Sequence, residues 1–182
     1  MIKKLIKHYY IWILALILTT AFCGLVYVSV HQVLRQSAND PQIEIAQDTA
    51  NLLNSGQKIE AIMPAGKVDP SISLAPFIIV YNDNQQVTAS SVSLDNQTPQ
   101  LPKGVLDFVK NHGEEKLTWQ PKNGIRIASV ITKYNGGFVL AGRSLKEVEL
   151  RVDRLSHTVL MVWLAAFLTV STLTLFYTKL SK

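Results

Sequence analysis

Two uncharged apolar blocks bracket a middle of mixed composition. The first runs from about Tyr9 to Val30 (YYIWILALILTTAFCGLVYVSV) and the second from about Thr158 to Thr178 (TVLMVWLAAFLTVSTLTLFYT). At 1.5 Å rise per residue, a helix of either length covers the roughly 30 Å hydrocarbon core of a bilayer. Tyr9, Tyr10 and Trp12 at one end of the first block, Tyr27 at the other, and Tyr177 at the end of the second have the placement of interfacial aromatics. One small soluble core rarely hides two uncharged stretches of this length, so the pattern predicts transmembrane helices over residues 9–30 and 158–178.

Between the blocks the periodicity changes repeatedly. Val33 to Ser37 continue the first helix, and Asn39-Asp40-Pro41 reads as a break and a restart, with Asp40 as N-cap and Pro41 in the first helical position. Ile43, Ala46, Ala50 and Leu53 follow at helical spacing as one apolar stripe, and Gly56 is a natural stop. After a polar stretch broken by Pro64, Gly66 and Pro70 comes a β-rich run, Ala75 to Tyr81. Asn82 to Gln85 is a turn by residue type, and Gln86 to Val92 returns as a second strand. Val105, Leu106, Phe108 and Val109 predict a short helix stopped near Gly113. Three more strands are predicted at Lys116–Gln120, Ile125–Tyr134 and Gly137–Arg143, with turns at 121–124 and at Asn135-Gly136-Gly137, a strong hairpin signal. From Ser144 a charged helix leads into the second block, with Glu147 and Arg151 spaced to pair on its surface. No internal repeat or low-complexity segment interrupts this order of helix, two strands, short helix, three strands and helix.

Charge supplies the orientation. The formal net charge is +5, but all 13 Asp and Glu lie between the blocks, against 13 of the 18 Lys and Arg. The excess sits in the tails, on Lys3, Lys4 and Lys7 before the first block and on Lys179 and Lys182 after the second. Short, purely basic tails are placed in the cytoplasm by the positive-inside rule. The expected division is therefore a cytoplasmic tail (1–8), a span (9–30), an extracytoplasmic domain (31–157), a second span (158–178) and a second cytoplasmic tail (179–182). The basic pI of about 9.3 reports this topology rather than nucleic-acid binding. An apolar region longer than about 15 residues, with no small-x-small site behind it, argues against a cleaved signal peptide. Phe22 before Cys23 argues against lipid attachment there. Cys23 is the only cysteine and lies within the first block, so the outer domain folds without disulfides, as suits a bacterial inner-membrane protein. The sequon Asn96-Gln97-Thr98, followed by Pro99, carries little weight in that setting.

The order of elements, with Ala38-Asn39-Asp40-Pro41-Gln42 at the helix start, Leu74-Ala75-Pro76-Phe77 opening the first strand and Gly142-Arg143-Ser144-Leu145 at the exit, resembles the PAS-like extracytoplasmic sensor domain, or single Cache domain, of bacterial membrane sensor kinases. The resemblance covers about residues 33 to 157 and is mainly architectural. It implies an α+β fold: a PAS-like five-stranded antiparallel sheet with flanking helices, between two transmembrane helices. It also implies a ligand between the sheet and the helices or loops that cover it. Only four residues follow Thr178, so the resemblance is to the sensory half of such a receptor, and its output is expected to pass to another protein.

The chain carries no Walker or dinucleotide glycine loop, no His-Glu-x-x-His, no cysteine pair for zinc and no nucleophile elbow. His8, His31, His112 and His157 are scattered, with surface or interfacial roles expected. Glu114-Glu115 reads as a solvated turn before a strand, since adjacent strand residues face opposite ways. No enzyme activity, metal or cofactor is expected. The candidate ligand contacts are Arg126, Tyr81, Trp119, Tyr134 and Arg143. Arg126 shares a strand face with Ala128 and Val130, and if that face is inward its guanidinium points at the ligand and can clamp a carboxylate. A surface arginine is the plainer expectation. Trp119 alternates with Leu117 and reads as core. The expected function is a non-enzymatic sensor that detects a ligand or protein and relays it. Its expected partners are membrane lipid, a second copy of the chain paired along the membrane-proximal helix, and a kinase or other membrane protein. The rival is a structural or accessory docking subunit of an envelope or transporter complex.

Overall fold

The computed structural model describes residues 2–37 and 39–180. Ala38, in the stretch resembling a sensor-domain helix start, and Lys182, in the second basic tail, lie outside the described residues. So do the side chains of Lys3, Lys4, Lys7, His8, Tyr9 and Thr178. The chain divides into two compact units, one built from the residues up to Leu34 and from Leu150 onward, the other from Arg35–Glu149.

The second unit is α+β. Helix α2 (Asp40–Asn54) starts one residue earlier than the capping pattern suggests: Asn39 holds the cap position, and Asp40 is already helical beside Pro41. The stop falls as expected. Gln57 N donates to Leu52 O and Gly56 N to Leu53 O, the reciprocal bonds of a Schellman turn, and Gly56 takes the left-handed conformation (φ +87°) that this turn demands. A single helical turn, α3 (Ile59–Ile62), occupies the stretch read as merely polar. Five strands follow: β1 (Phe77–Asn82), β2 (Val87–Ser90), β3 (Glu114–Lys122), β4 (Ile125–Tyr134) and β5 (Gly137–Ser144), with α4 (Val105–His112) between β2 and β3. They form one open antiparallel sheet in the order β2-β1-β5-β4-β3. The strand β3 is longer than expected and takes in Glu114 and Glu115, which are half-buried strand residues rather than a solvated turn. Its last residues include Pro121, which an edge strand tolerates because only one side of it is paired.

Strand alternation gives the sheet two apolar faces. Phe77, Ile79, Trp119, Ile127, Ile131 and Leu140 point one way and are covered by Val92, Leu106 and Val109, from the long connection and α4. Ile78, Val80, Val130, Val139 and Ala141 point the other way, under α2. The helix approaches closely because its buried stripe is Gln42, Ala46, Thr49 and Ala50, all but the first small. The expected stripe was rotated slightly: Ile43 and Leu53 flank the contact and are only partly buried. The β4–β5 hairpin turns at Asn135-Gly136, and Gly137 (φ +143°) lies so close to β1 that any side chain there would run into the Tyr81 carbonyl.

The first unit consists of helical segments alone, from α1 (Ile2–Gln36) and α5 (Lys146–Leu180). Both helices are long and apolar enough to cross a membrane, and the apolar windows within them are almost wholly unburied. Within the unit they pair in antiparallel register. Trp163 Nε1 donates to Thr20 Oγ1 at 2.9 Å, and Ser156 Oγ lies 3.5 Å from the Tyr27 hydroxyl. The two contacts are seven residues apart on each helix, which is the coiled-coil repeat. Elsewhere Thr19, Thr158, Thr169, Thr172 and Thr174 return their hydroxyls to carbonyls of their own helix, which satisfies those donors on an apolar surface.

Candidate functional site

The face of the sheet under α4 sets several polar groups within an apolar core. Trp119 is buried, as its alternation with Leu117 predicts, and its Nε1 donates to Ser129 Oγ at 2.9 Å across the β3–β4 pair. Ser129 is fully buried and faces Gly142 on β5. The Phe77 ring fills the space above Gly142: a Cβ added there would lie 2.5 Å from Phe77 Cζ and 3.1 Å from Ser129 Oγ. Tyr81, at the other end of β1, is only 4% exposed, and its hydroxyl has no hydrogen-bond partner among the described residues. Burial alone drives the Tyr81 phenol well above its usual range, because the phenolate cannot be solvated there. A buried hydroxyl without a partner costs about 1–3 kcal/mol, and so calls for a specific explanation.

The five candidate contacts do not converge. Tyr81 and Trp119 lie in the core under α4, while Arg126, Tyr134 and Arg143 belong to strand positions on the opposite, α2-facing side. Arg126 does share the face of Ala128 and Val130, but it turns no guanidinium into a core. It is exposed at the start of β4, and Nη1 bonds Glu149 Oε1 at 2.9 Å in the first turns of α5. Arg143 is half-buried. Its Nε donates to the Leu74 carbonyl at 2.8 Å, and its Nη2 donates to Glu147 Oε2 at 2.7 Å. Glu147 thus reaches back to β5 as well as lying four residues before Arg151. Tyr134 packs against the α2-side core beside the hairpin, and its phenol is raised first by partial burial and then by the Asp83 carboxylate.

Sequence reasoning missed Ser129, Ser91 and Gln42. Ser91 is buried beyond the end of β2, where its Oγ accepts from Ile78 N at 2.8 Å. The available signal for Ser129 was a hydroxyl in the middle of the apolar run Ile127 to Ile131. Of the histidines, His112 stacks on Phe108 with ring centroids 3.9 Å apart and contacts its own helix carbonyl, and His157 lies 3.7 Å from Asp153. Among the described residues, no group of three His, Cys, Asp or Glu side chains is arranged to hold a metal ion. The chemistry on offer is therefore hydrogen bonding and packing, centred on the Tyr81 hydroxyl and the Trp119–Ser129 pair.

Compared with known proteins, the chain matches no family model, no curated protein and no solved structure. The fold and the site define a class only: an α+β domain with an open five-stranded antiparallel sheet, in a chain whose two long helices are apolar enough to cross a membrane.

Proposed function

We propose that this chain is a two-pass membrane protein of the bacterial inner membrane. Its residues 31–157 form an extracytoplasmic PAS-like, Cache-type sensor domain that detects a small polar ligand or a protein and relays the event to a membrane partner. It catalyses no reaction. The observation that carries the reading is the buried Tyr81 hydroxyl without a partner, on the sheet face covered by α4 and the long connection. A structural domain gains nothing from a bare hydroxyl in its core, whereas a sensor gains a donor and acceptor that only an occupant satisfies. The basic tails, the uncharged helices and the lone cysteine support the membrane setting.

The test uses the full chain in lipid nanodiscs and a panel of free amino acids, short carboxylates and monosaccharides, read by thermal unfolding. Mass action raises Tm for any compound that binds only the folded state. The expected result is at least one stabilising compound, with its effect lost in Tyr81→Phe while the unliganded Tm of that variant does not fall. A flat panel favours the docking-subunit reading, in which the outer domain holds an envelope or transporter component and transduces nothing.

A further inference from the structure

The start of α5 is held by two arginines of the sheet, and each contact is specific. Leu145 N donates to Arg126 O at 2.9 Å, and the Arg126 side chain reaches Glu149 one turn further on. Arg143 holds the same segment through Glu147, and the same guanidinium also holds the Leu74 carbonyl. Leu74 belongs to the connection 69–76, which makes no strand pairing of its own. That connection is anchored at one end by an Asx turn, in which Asp69 Oδ1 accepts from the Ser71 hydroxyl at 2.6 Å and its amide at 2.8 Å. These two bonds, the hydroxyl first, hold the Asp69 carboxyl below its usual range. At the other end, three residues after Leu74, stands Phe77, whose ring packs on Gly142 beside Ser129.

We infer that Arg143 is a relay residue: it couples the connection before β1, and through Phe77 the core under α4, to the first turn of α5. The guanidinium is a planar, rigid fork, so a shift of the Leu74 carbonyl that rotates Nε must also move Nη2 away from Glu147. The ion pair keeps about a third of each side chain in solvent (34% and 30%), so it is weak enough to open and close without unfolding the domain. The inference deepens the sensor reading by naming the path from core to exit helix. It stands or falls on a measurement made without ligand, so its failure is distinguishable from a flat ligand panel.

The experiment is amide hydrogen exchange on the full chain in nanodiscs. Glu147→Gln removes the carboxylate charge on α5 and leaves Arg143 and Leu74 in place. If the contacts are coupled, amides at 71–75 exchange about threefold faster or more, as do those at 146–150, while the β4–β5 ladder keeps its protection. Arg143→Ala should reproduce both effects, and the double variant should be no faster than Arg143→Ala alone. Faster exchange at 146–150 with 71–75 unchanged in Glu147→Gln overturns the relay, since the two bonds would then be independent. Additive effects in the double variant overturn it equally. Should Arg143→Ala lose protection throughout the sheet, Glu147→Gln decides the matter alone.

Discussion

At the residue scale, Tyr81 and Gly142 make opposite predictions. Tyr81→Phe removes a hydroxyl that bonds to nothing in the folded chain, so stability should hold or rise by up to about 1 kcal/mol rather than fall, as thermal unfolding would register. The same group sets an alkaline limit. Burial raises the folded phenol above the unfolded value near 10, so below that pH both states keep the proton and nothing changes. As pH climbs past about 10 the unfolded chain releases the proton and the folded one retains it, and stability falls by about 1.4 kcal/mol per pH unit for this one group. Tyr81→Phe should flatten that decline without abolishing it, because Tyr134 is raised too. A decline as steep in the variant as in the parent would contradict the assignment. Gly142→Ala should instead cost about 1–3 kcal/mol, since the new methyl meets the Phe77 ring with a rigid strand behind it. Strand parity was legible at this scale: Trp119 with Leu117, and Arg126 with Ala128, do share faces. What could not be read was which face lies under which helix, because both faces of β4 and β5 are buried and apolar. That ambiguity is why five candidate residues divide between the two sides.

At the element scale, the strands followed from β-branched and aromatic runs punctuated by turn residues, and the β4–β5 hairpin followed from Asn135-Gly136. The misses have physical causes. Glu114 and Glu115 look like a turn by charge, yet they join an edge strand that leaves room for solvated side chains, and Glu114 accepts from Gln47 Nε2 of α2 at 3.0 Å. Gln42 was not placed in the stripe because propensity does not report that a helix on small residues sits close to its sheet. The pairing of α1 with α5 was invisible to hydropathy, since lipid and a neighbouring helix are equally apolar. Its two polar contacts fix a register that the native cysteine can test. Cys23 and Val159 both lie on half-buried stripes between the Thr20–Trp163 and Tyr27–Ser156 contacts. Val159→Cys should therefore form an intramolecular disulfide with Cys23 under mild oxidation, seen as a mobility shift on non-reducing gels. Met161→Cys, on an outward position 71% exposed, should not. Equal crosslinking at both positions would mean that the helices have no fixed register.

At the scale of the whole molecule, charge sets the expected orientation. The tails hold lysines and no acid, while the region between the spans is formally neutral, so translocating that region across the membrane carries no net charge and retaining the tails satisfies the lysines. On the proposed two-pass reading, the two uncharged blocks put both tails on the same side. In a Cys23→Ala background, a cysteine placed at Asn84, in the exposed β1–β2 turn, should react with a membrane-impermeant maleimide on intact cells. A cysteine at Lys179, beyond the second span, should react only after permeabilisation. Because the rule counts positive residues close to the spans, replacing Lys3, Lys4 and Lys7 with Gln should loosen the orientation, and some Asn84→Cys molecules should become protected in intact cells. Moving the charge across, by adding three lysines after Val30, should protect most of them. Labelling of Lys179→Cys before Asn84→Cys in the unaltered tail background would invert the topology. The sheet domain would then face the cytosol, where the relay through Arg143 would have to run in the other direction.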